Sequence, residues 1–85
     1  MRVSFSKNFI KQSKKLSPAV RMKMLKRIQI FIDNPIHPIL RNHQLKGKYK
    51  EYRSIDITGD VRAIYLQRES EAVFDLVGTH SQLYG

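Results

Sequence analysis

The hydrophobic pattern of this chain changes its period once, and that change restricts the possible folds more than any other feature. From Pro18 to about Asp33, apolar residues recur every three or four positions, which is typical of an amphipathic helix. From Tyr49 onward, apolar and polar residues alternate, which is typical of strands. A helical first half followed by a strand-rich second half predicts an α+β fold.

Serine residues mark the starts of two helices after a short N-terminal strand. The alternating segment Arg2–Phe5 predicts the strand, Ser6 can cap a helix over about 7–16, and the pair Ser17-Pro18 can start the next helix. Serine is a preferred N-cap residue, and proline is tolerated in the first helical turn. Because the connection between the helices is short, we expect an antiparallel hairpin.

The second half predicts three strands joined by short turns, after a basic connector from Ile39 to Lys50. The strands are predicted over residues 49–57, 61–67 and 72–77, with turns at Thr58-Gly59-Asp60 and Arg68–Glu71. Such short turns permit only an antiparallel meander. The complete prediction is one domain, residues 1–85, with the helices packed on one face of a small sheet and the other face partly open.

Basic side chains are concentrated in the first half of the chain. Residues 1–50 contain thirteen Lys and Arg and one acid, Asp33, a net charge of +12. Residues 51–85 contain three Arg and six acids, a net charge of −3, so the total is +9. A basic half on a small domain attracts polyanions through counterion release. Nucleic acid or the ribosome is therefore the expected partner, and a self-repelling solvated surface is the alternative.

The composition excludes several kinds of chemistry. The 85 residues include no cysteine, which removes disulfides, thiolate metal sites and cysteine nucleophiles. The sequence has no Walker or dinucleotide-binding glycine pattern, and its histidines lack metal-ligand spacing, so we expect neither a cofactor nor a metal. No apolar run is long enough to span a membrane, and the N-terminus does not lead into a signal-peptide core. We therefore expect a cytoplasmic protein that does not bind membranes.

Three polar residues lie at the ends of predicted strands. In a three-stranded meander the second strand begins where the third ends, so Asp60 and Arg62 could approach His80. Cleavage of a phosphodiester by its own ribose 2′-hydroxyl needs a base, an acid and positive charge, which histidine and arginine can supply. In the alternative interpretation the three residues are structural: Asp60 stabilises the turn, Arg62 forms a surface ion pair, and His80 makes a hydrogen bond within a loop.

Tyr84 is an aromatic residue close to this end of the predicted sheet. Its ring can stack on a nucleic-acid base, or it can pin the C-terminus to the core together with Leu83. The other tyrosines of this half, Tyr49, Tyr52 and Tyr65, lie within predicted strands and are expected to be structural.

Four motifs occupy the C-terminal half of the chain. They are Leu45-x-Gly47, Tyr52–Asp56 (YRSID), Asp60–Tyr65 (DVRAIY) and Gly78–Gly85 (GTHSQLYG). Together with the order of elements, they resemble the RelE/ParE toxin superfamily and, within it, the YafQ-like ribonucleases of bacterial type II toxin–antitoxin systems. The resemblance implies a metal-independent endoribonuclease that cuts messenger RNA in the ribosomal A site. The implied products are a cyclic or hydrolysed 3′-phosphate and a free 5′-hydroxyl.

The resemblance also implies roles for individual residues. His80 matches the C-terminal catalytic histidine of the family, His43 the histidine ahead of the Leu-x-Gly motif, and Asp60 the turn aspartate. Arg62 lies where RelE-like members place a phosphate-binding arginine, and Tyr84 matches the terminal aromatic residue that positions a base. We predict His80, His43, Asp60 and Arg62 as catalytic residues and Tyr84, Arg53, Asp56 and Lys46 as substrate-binding residues.

Three positions depart from the YafQ-like pattern. Asp56 replaces a histidine, Val61 replaces a tryptophan and Ser54 replaces an aspartate. The proton-transfer groups and the stacking surface of the site are therefore expected to differ from the pattern.

The partners that the resemblance implies are a cognate antitoxin with an acidic segment, messenger RNA on the ribosome, and ribosomal RNA. The resemblance implies contact with operator DNA only as part of a complex with the antitoxin. Two other functions fit the same sequence: poisoning of DNA gyrase by a ParE-like toxin without nuclease activity, and RNA binding by a non-catalytic basic module.

Overall fold

A computed structural model describes residues 1–84 and contains, in that range, three α-helices and a five-stranded mixed sheet. The helices are α1 (Lys7–Ser13), α2 (Pro18–Asp33) and α3 (His80–Tyr84). The strands are β1 (Arg2–Phe5), β2 (His43–Gln44), β3 (Tyr52–Asp56), β4 (Val61–Arg68) and β5 (Glu71–Thr79). The α+β class, the N-terminal strand, the two helices and the meander are confirmed. Within residues 1–84, no helix has the length and apolar character needed to cross a membrane.

The strands lie in the order β1-β5-β4-β3-β2. The meander β3–β4–β5 is antiparallel, β2 adds to it at one edge, and β1 pairs in parallel with β5 at the other. Val61 pairs with Thr79, and Arg62 pairs with Gly78, so β4 begins where β5 ends, as predicted. His80 follows directly and therefore reaches the same end of the sheet as Arg62.

Helix α1 ends at Ser13, earlier than the predicted end near residue 16. The guanidinium of Arg21 in α2 donates hydrogen bonds of 2.9–3.2 Å to three backbone carbonyls at this end, those of Ser13, Lys14 and Leu16. Carbonyls at a helix terminus need such partners, and Arg21 supplies them without further helical turns. Helix α2 has the predicted bounds, with Ser17 as its N-cap.

All three strands of the meander differ from their predicted bounds, β4 only by the addition of Arg68. Gly47 has a φ of +66° and opens a 3₁₀ turn over Gly47–Tyr49, so β3 starts at Tyr52 and Tyr49 lies outside the strand. Strand β5 is longer than predicted at both ends: the preceding turn occupies only two residues, one of which, Glu69, has a φ of +52°, and the pairing with β4 continues to Thr79 opposite Val61. Consequently His80 begins α3 and does not end the strand.

The core lies between the helices and one face of the sheet. Phe74 is fully buried. Four rings surround it with centroid separations of 5.2–5.9 Å, those of Phe5, Phe9, Phe31 and Tyr65. Since side chains alternate along a strand, the neighbours of these core residues point to the opposite face. Arg62 and Asp56, which are cross-strand partners, lie on that opposite face.

Candidate active site

A cavity of about 250 Å³ lies on the sheet face opposite the helices, at the end where β4 begins and β5 ends. Its lining residues are His43, Leu45, Lys46, Tyr49, Ser54, Arg62, His80 and Tyr84. Five of these are predicted site residues. The structure therefore brings together two imidazoles, an ammonium, a guanidinium and a phenol. Within residues 1–84, no group of three or more His, Asp or Glu side chains could hold a metal ion.

His80 is held in place by a capping box at the start of α3. The N–H of Thr79 donates to Gln82 Oε1 at 2.8 Å, and the N–H of Gln82 donates to Thr79 Oγ1 at 3.2 Å. A Cβ at Gly78 would lie 2.8 Å from Gln82 Oε1, so a larger residue there would displace the Gln82 amide from this capping pair. The motif Gly-Thr-x-x-Gln thus fixes the first turn of α3, on which the exposed ring of His80 lies.

His43 makes one local hydrogen bond, and this bond fixes which nitrogen of its neutral ring carries the proton. Its Nδ1 lies 2.9 Å from the backbone carbonyl oxygen of Arg41. A carbonyl oxygen can only accept, so Nδ1 carries the proton in this bond. In neutral His43, Nε2 then keeps its lone pair and can accept a proton from a substrate.

Arg62 is oriented by a carboxylate and by the turn before β4. Its Nε lies 3.0 Å from Asp56 Oδ1, and its Nη1 donates to the carbonyls of Thr58 at 2.9 Å and Gly59 at 3.2 Å. Between Met1 and Tyr84, no hydrogen-bond partner is found for Nη2. Asp56, predicted to bind substrate, therefore holds the arginine, and Nη2 remains available for an oxygen of a phosphate.

Tyr84 packs against two other rings of the site. Its centroid lies 4.8 Å from that of His80 and 5.6 Å from that of Tyr49, whose hydroxyl donates to Leu83 O at 3.5 Å. Burial raises the pKa of the Tyr84 phenol, Tyr49 acts in the same direction, and Arg62 opposes them. The phenol therefore stays protonated at neutral pH. Tyr49, expected to be purely structural, also lines the cavity, and sequence reasoning missed it.

The model of a protein family described as "Bacterial toxin of type II toxin-antitoxin system, YafQ" matches residues 1–85. The chain belongs to the YafQ toxin family. The mRNA interferase toxin YafQ of Escherichia coli strain K12 is 27% identical over 81 residues, which cover 95% of this chain and 88% of that protein. The predicted resemblance is confirmed.

Solved YafQ structures share the fold over the whole chain. The crystal structure of YafQ from E. coli strain BL21(DE3) matches with a TM-score of 0.84 and 24% identity, covering 100% of both chains. The E. coli DinJ-YafQ toxin-antitoxin complex contains a chain with a TM-score of 0.76 and 26% identity, covering 98% of this chain and 96% of that one.

Three predicted site residues do not line the cavity: Asp56, which pairs with Arg62 as described above, Asp60 and Arg53. Asp60 is exposed in the turn before β4, where its N–H donates to Thr58 Oγ1 at 3.2 Å. Arg53 pairs in register with Tyr65 on the helix-facing side of the sheet, and its Nε donates to Asn42 Oδ1 at 2.9 Å. The position of Arg53 outside the cavity could have been predicted from the sequence, because residues 53 and 56 of one strand must point to opposite faces.

The departures from the YafQ pattern have different structural consequences. Val61, in place of a tryptophan, is 7% exposed and belongs to the helix-side core, so its side chain does not reach the cavity. Ser54, in place of an aspartate, lines the cavity floor and is 1% exposed, and its Oγ finds no partner within residues 1–84. Asp56, in place of a histidine, forms an ion pair with Arg62.

Proposed function

We propose that this YafQ-family toxin is a ribosome-dependent messenger RNA endoribonuclease that acts in the cytoplasm as a single domain. The observation that supports this most strongly is the shared cavity of His43, His80, Arg62 and Lys46 on the open face of the sheet. Two imidazoles can supply both the base and the acid of a phosphodiester cleavage, and two cations can supply the charge.

The proposed reaction is attack by the ribose 2′-oxygen on the adjacent phosphorus. His43 Nε2 takes the 2′-hydroxyl proton as the bond from O2′ to phosphorus forms. The bond from phosphorus to O5′ then breaks, and His80 gives a proton to the leaving O5′. Arg62 Nη2 and Lys46 stabilise the additional negative charge on the phosphoryl oxygens, and Tyr84 stacks on a neighbouring base. The products are a 2′,3′-cyclic phosphate and a 5′-hydroxyl.

The basic first half of the chain supports contact with ribosomal RNA. Residues 1–34 carry nine Lys and Arg and one acid, most of them on the helices that cover the sheet face opposite the cavity. Positive charge therefore extends well beyond the catalytic cavity. We propose that this surface docks on ribosomal RNA while the cavity receives the messenger, and that its affinity falls with rising salt.

We expect the purified protein to cleave a message on translating ribosomes about 100-fold faster than the same message free in solution, because the ribosome holds the substrate in position. The measurement is mapping of 5′ ends at several salt concentrations, with ribosomes that lack the toxin as control. Gyrase inhibition with intact messages would support a ParE-like toxin instead. Salt-sensitive RNA binding without any cleavage would indicate a non-catalytic module.

A cognate antitoxin is the proposed protein partner, and the helical side offers a surface for it. This surface is an apolar groove of about 150 Å³. It is lined by Phe5, Phe9, Ile10, Ser13, Met24, Leu25 and Ile28. Leu25 is 54% exposed and Ile10 is 45% exposed, on two helices whose charged residues are all basic except Asp33. An acidic amphipathic helix of the antitoxin fits this chemistry. Operator DNA would be contacted only through that complex.

Replacing Leu25 with Glu is expected to weaken antitoxin binding at least about 30-fold, since it puts a charge into a desolvated apolar contact. The chemical step on saturating ribosomes should not change, because Leu25 does not line the cavity, and any effect of the added charge on ribosome docking is measured separately as a change in ribosome affinity. The matched control is Ile36→Glu, at an apolar residue that is 79% exposed and lies outside the groove. Titration calorimetry tests this, and equal affinities of the Leu25→Glu variant and the unaltered toxin would contradict the assignment of the groove.

A further inference from the structure

Arg41 has a backbone conformation that residues with a Cβ rarely adopt. Its φ of +48° and ψ of +46° place it in the left-handed region. It follows a 3₁₀ turn over Pro38–Leu40, and its N–H donates to Pro38 O at 3.2 Å. Strain of this kind persists only where the surrounding structure fixes the residue, and it concentrates at functional sites.

Both neighbours of Arg41 are fixed. Leu40 is completely buried in the core. Asn42 makes three side-chain hydrogen bonds of 2.8–2.9 Å, to Pro35 O, Tyr65 Oη and Arg53 Nε. Arg41 therefore joins two anchored residues, and only a left-handed turn connects them in this structure.

This turn directs the carbonyl of Arg41 at the ring of His43, 2.9 Å from Nδ1. A free imidazole exchanges between two neutral tautomers, but the carbonyl accepts a proton only from Nδ1. The side chain of Arg41 contributes little, because its Nε is 3.7 Å from Asp56 Oδ2 and the side chain is 79% exposed. The backbone, rather than the guanidinium, is the part of Arg41 that acts on His43.

We propose that Arg41 is a positioning residue whose left-handed backbone fixes the Nδ1-protonated tautomer of His43 and leaves Nε2 to accept the 2′-hydroxyl proton. The importance of the tautomer for catalysis rests on the proposed function. The tautomer itself is a property of the free protein and can be measured without substrate.

The test compares Arg41→Gly with Arg41→Val by ¹⁵N NMR of the neutral imidazoles. Glycine accepts a positive φ and valine does not. We expect Arg41→Gly to keep the Nδ1-protonated form and to cleave within about twofold of the unaltered toxin. Arg41→Val should give a tautomer mixture at His43 and about tenfold slower cleavage, which is less than the loss of a whole acid–base group. Should Arg41→Val not fold, Arg41→Ala must give an intermediate tautomer shift.

Glu69 supplies the matched control, since it has a φ of +52° in the turn between β4 and β5 and does not line the cavity. Glu69→Val should reduce stability as Arg41→Val does, but leave the His43 tautomer and the cleavage rate unchanged. A pure Nδ1-protonated ring in Arg41→Val, or its loss in Arg41→Gly, overturns the role of Arg41 and leaves the proposed function intact. Full cleavage by His43→Ala would instead remove His43 from the proposed reaction, whatever its tautomer.

Discussion

Replacing His80 with alanine or phenylalanine is expected to slow cleavage of ribosome-bound messages by about 10²–10⁴-fold, the usual cost of removing one acid–base group. In the proposed reaction His80 protonates the leaving O5′, and Arg62 and Lys46 cannot replace it because they are cations that hold the phosphate. The loss should appear in the rate of the chemical step rather than in ribosome binding.

The phenylalanine variant separates chemistry from packing at this position. His80→Phe retains a ring against Tyr84, 4.8 Å away in the native protein, but has no titratable nitrogen. The control is His37→Ala, since His37 lies outside the cavity and its Nδ1 accepts a hydrogen bond of 3.1 Å from the N–H of Ile39. Single-turnover cleavage is the measurement. A His80→Phe variant that cleaves at the full rate would exclude proton transfer by His80.

Phe74→Ala is expected to lower the free energy of unfolding by about 3–5 kcal/mol, the range for loss of a buried phenylalanine. Phe74 is 0% exposed and contacts four aromatic rings from β1, α1, α2 and β4, so its removal leaves a cavity at the centre of the core. A domain of this size has a total stability of only about 5–15 kcal/mol, so a large part of it would be lost.

Urea unfolding followed by circular dichroism measures this effect. Ile36→Ala is the control, since Ile36 is 79% exposed and its truncation should change stability by no more than about 0.5 kcal/mol. If Phe74→Ala unfolded at the same urea concentration as Ile36→Ala, the aromatic cluster would not be the centre of the core.

Much of the fold could be predicted because local signals agreed with the tertiary structure. Ser6 and Ser17 cap the helices whose starts they predict, and the tight turn at Thr58-Gly59-Asp60 joins β3 to β4. The convergence of Arg62 and His80 followed from the order of strands in a meander. The capping box formed by Thr79 and Gln82 was a readable signal as well, although sequence reasoning did not use it.

Other features depend on contacts that a linear pattern does not contain. Strand β2 has two residues and therefore no periodicity, and the left-handed turn at Arg41 exists because both its neighbours are anchored. A register shift between Ile64 and Tyr65 leaves Asp75 without a direct partner on β4, which alternation alone cannot show. Tyr49 reaches the cavity through a turn where a strand was predicted.

Asp56 stands where the YafQ pattern has a histidine, and in the proposed reaction it orients Arg62 and does not transfer a proton. Asp56 and Arg62 form an ion pair at 3.0 Å, so the carboxylate orients the cation. In the proposed reaction, proton transfer is carried out by His43 and His80, which line the same cavity from β2 and from the start of α3. We propose that this chain uses two imidazoles where the YafQ pattern contains a third.

The chemistry of the newly formed RNA ends is the most direct test of this account. A message cut on the ribosome by the unaltered toxin should carry a 5′-hydroxyl on one fragment and a 2′,3′-cyclic phosphate, or its hydrolysed 3′-phosphate, on the other. A single 2′-deoxynucleotide at the cut position should abolish cleavage there. A 5′-phosphate at the new end, or unchanged cutting at the deoxynucleotide, would contradict attack by the 2′-oxygen and with it the roles proposed for His43 and His80.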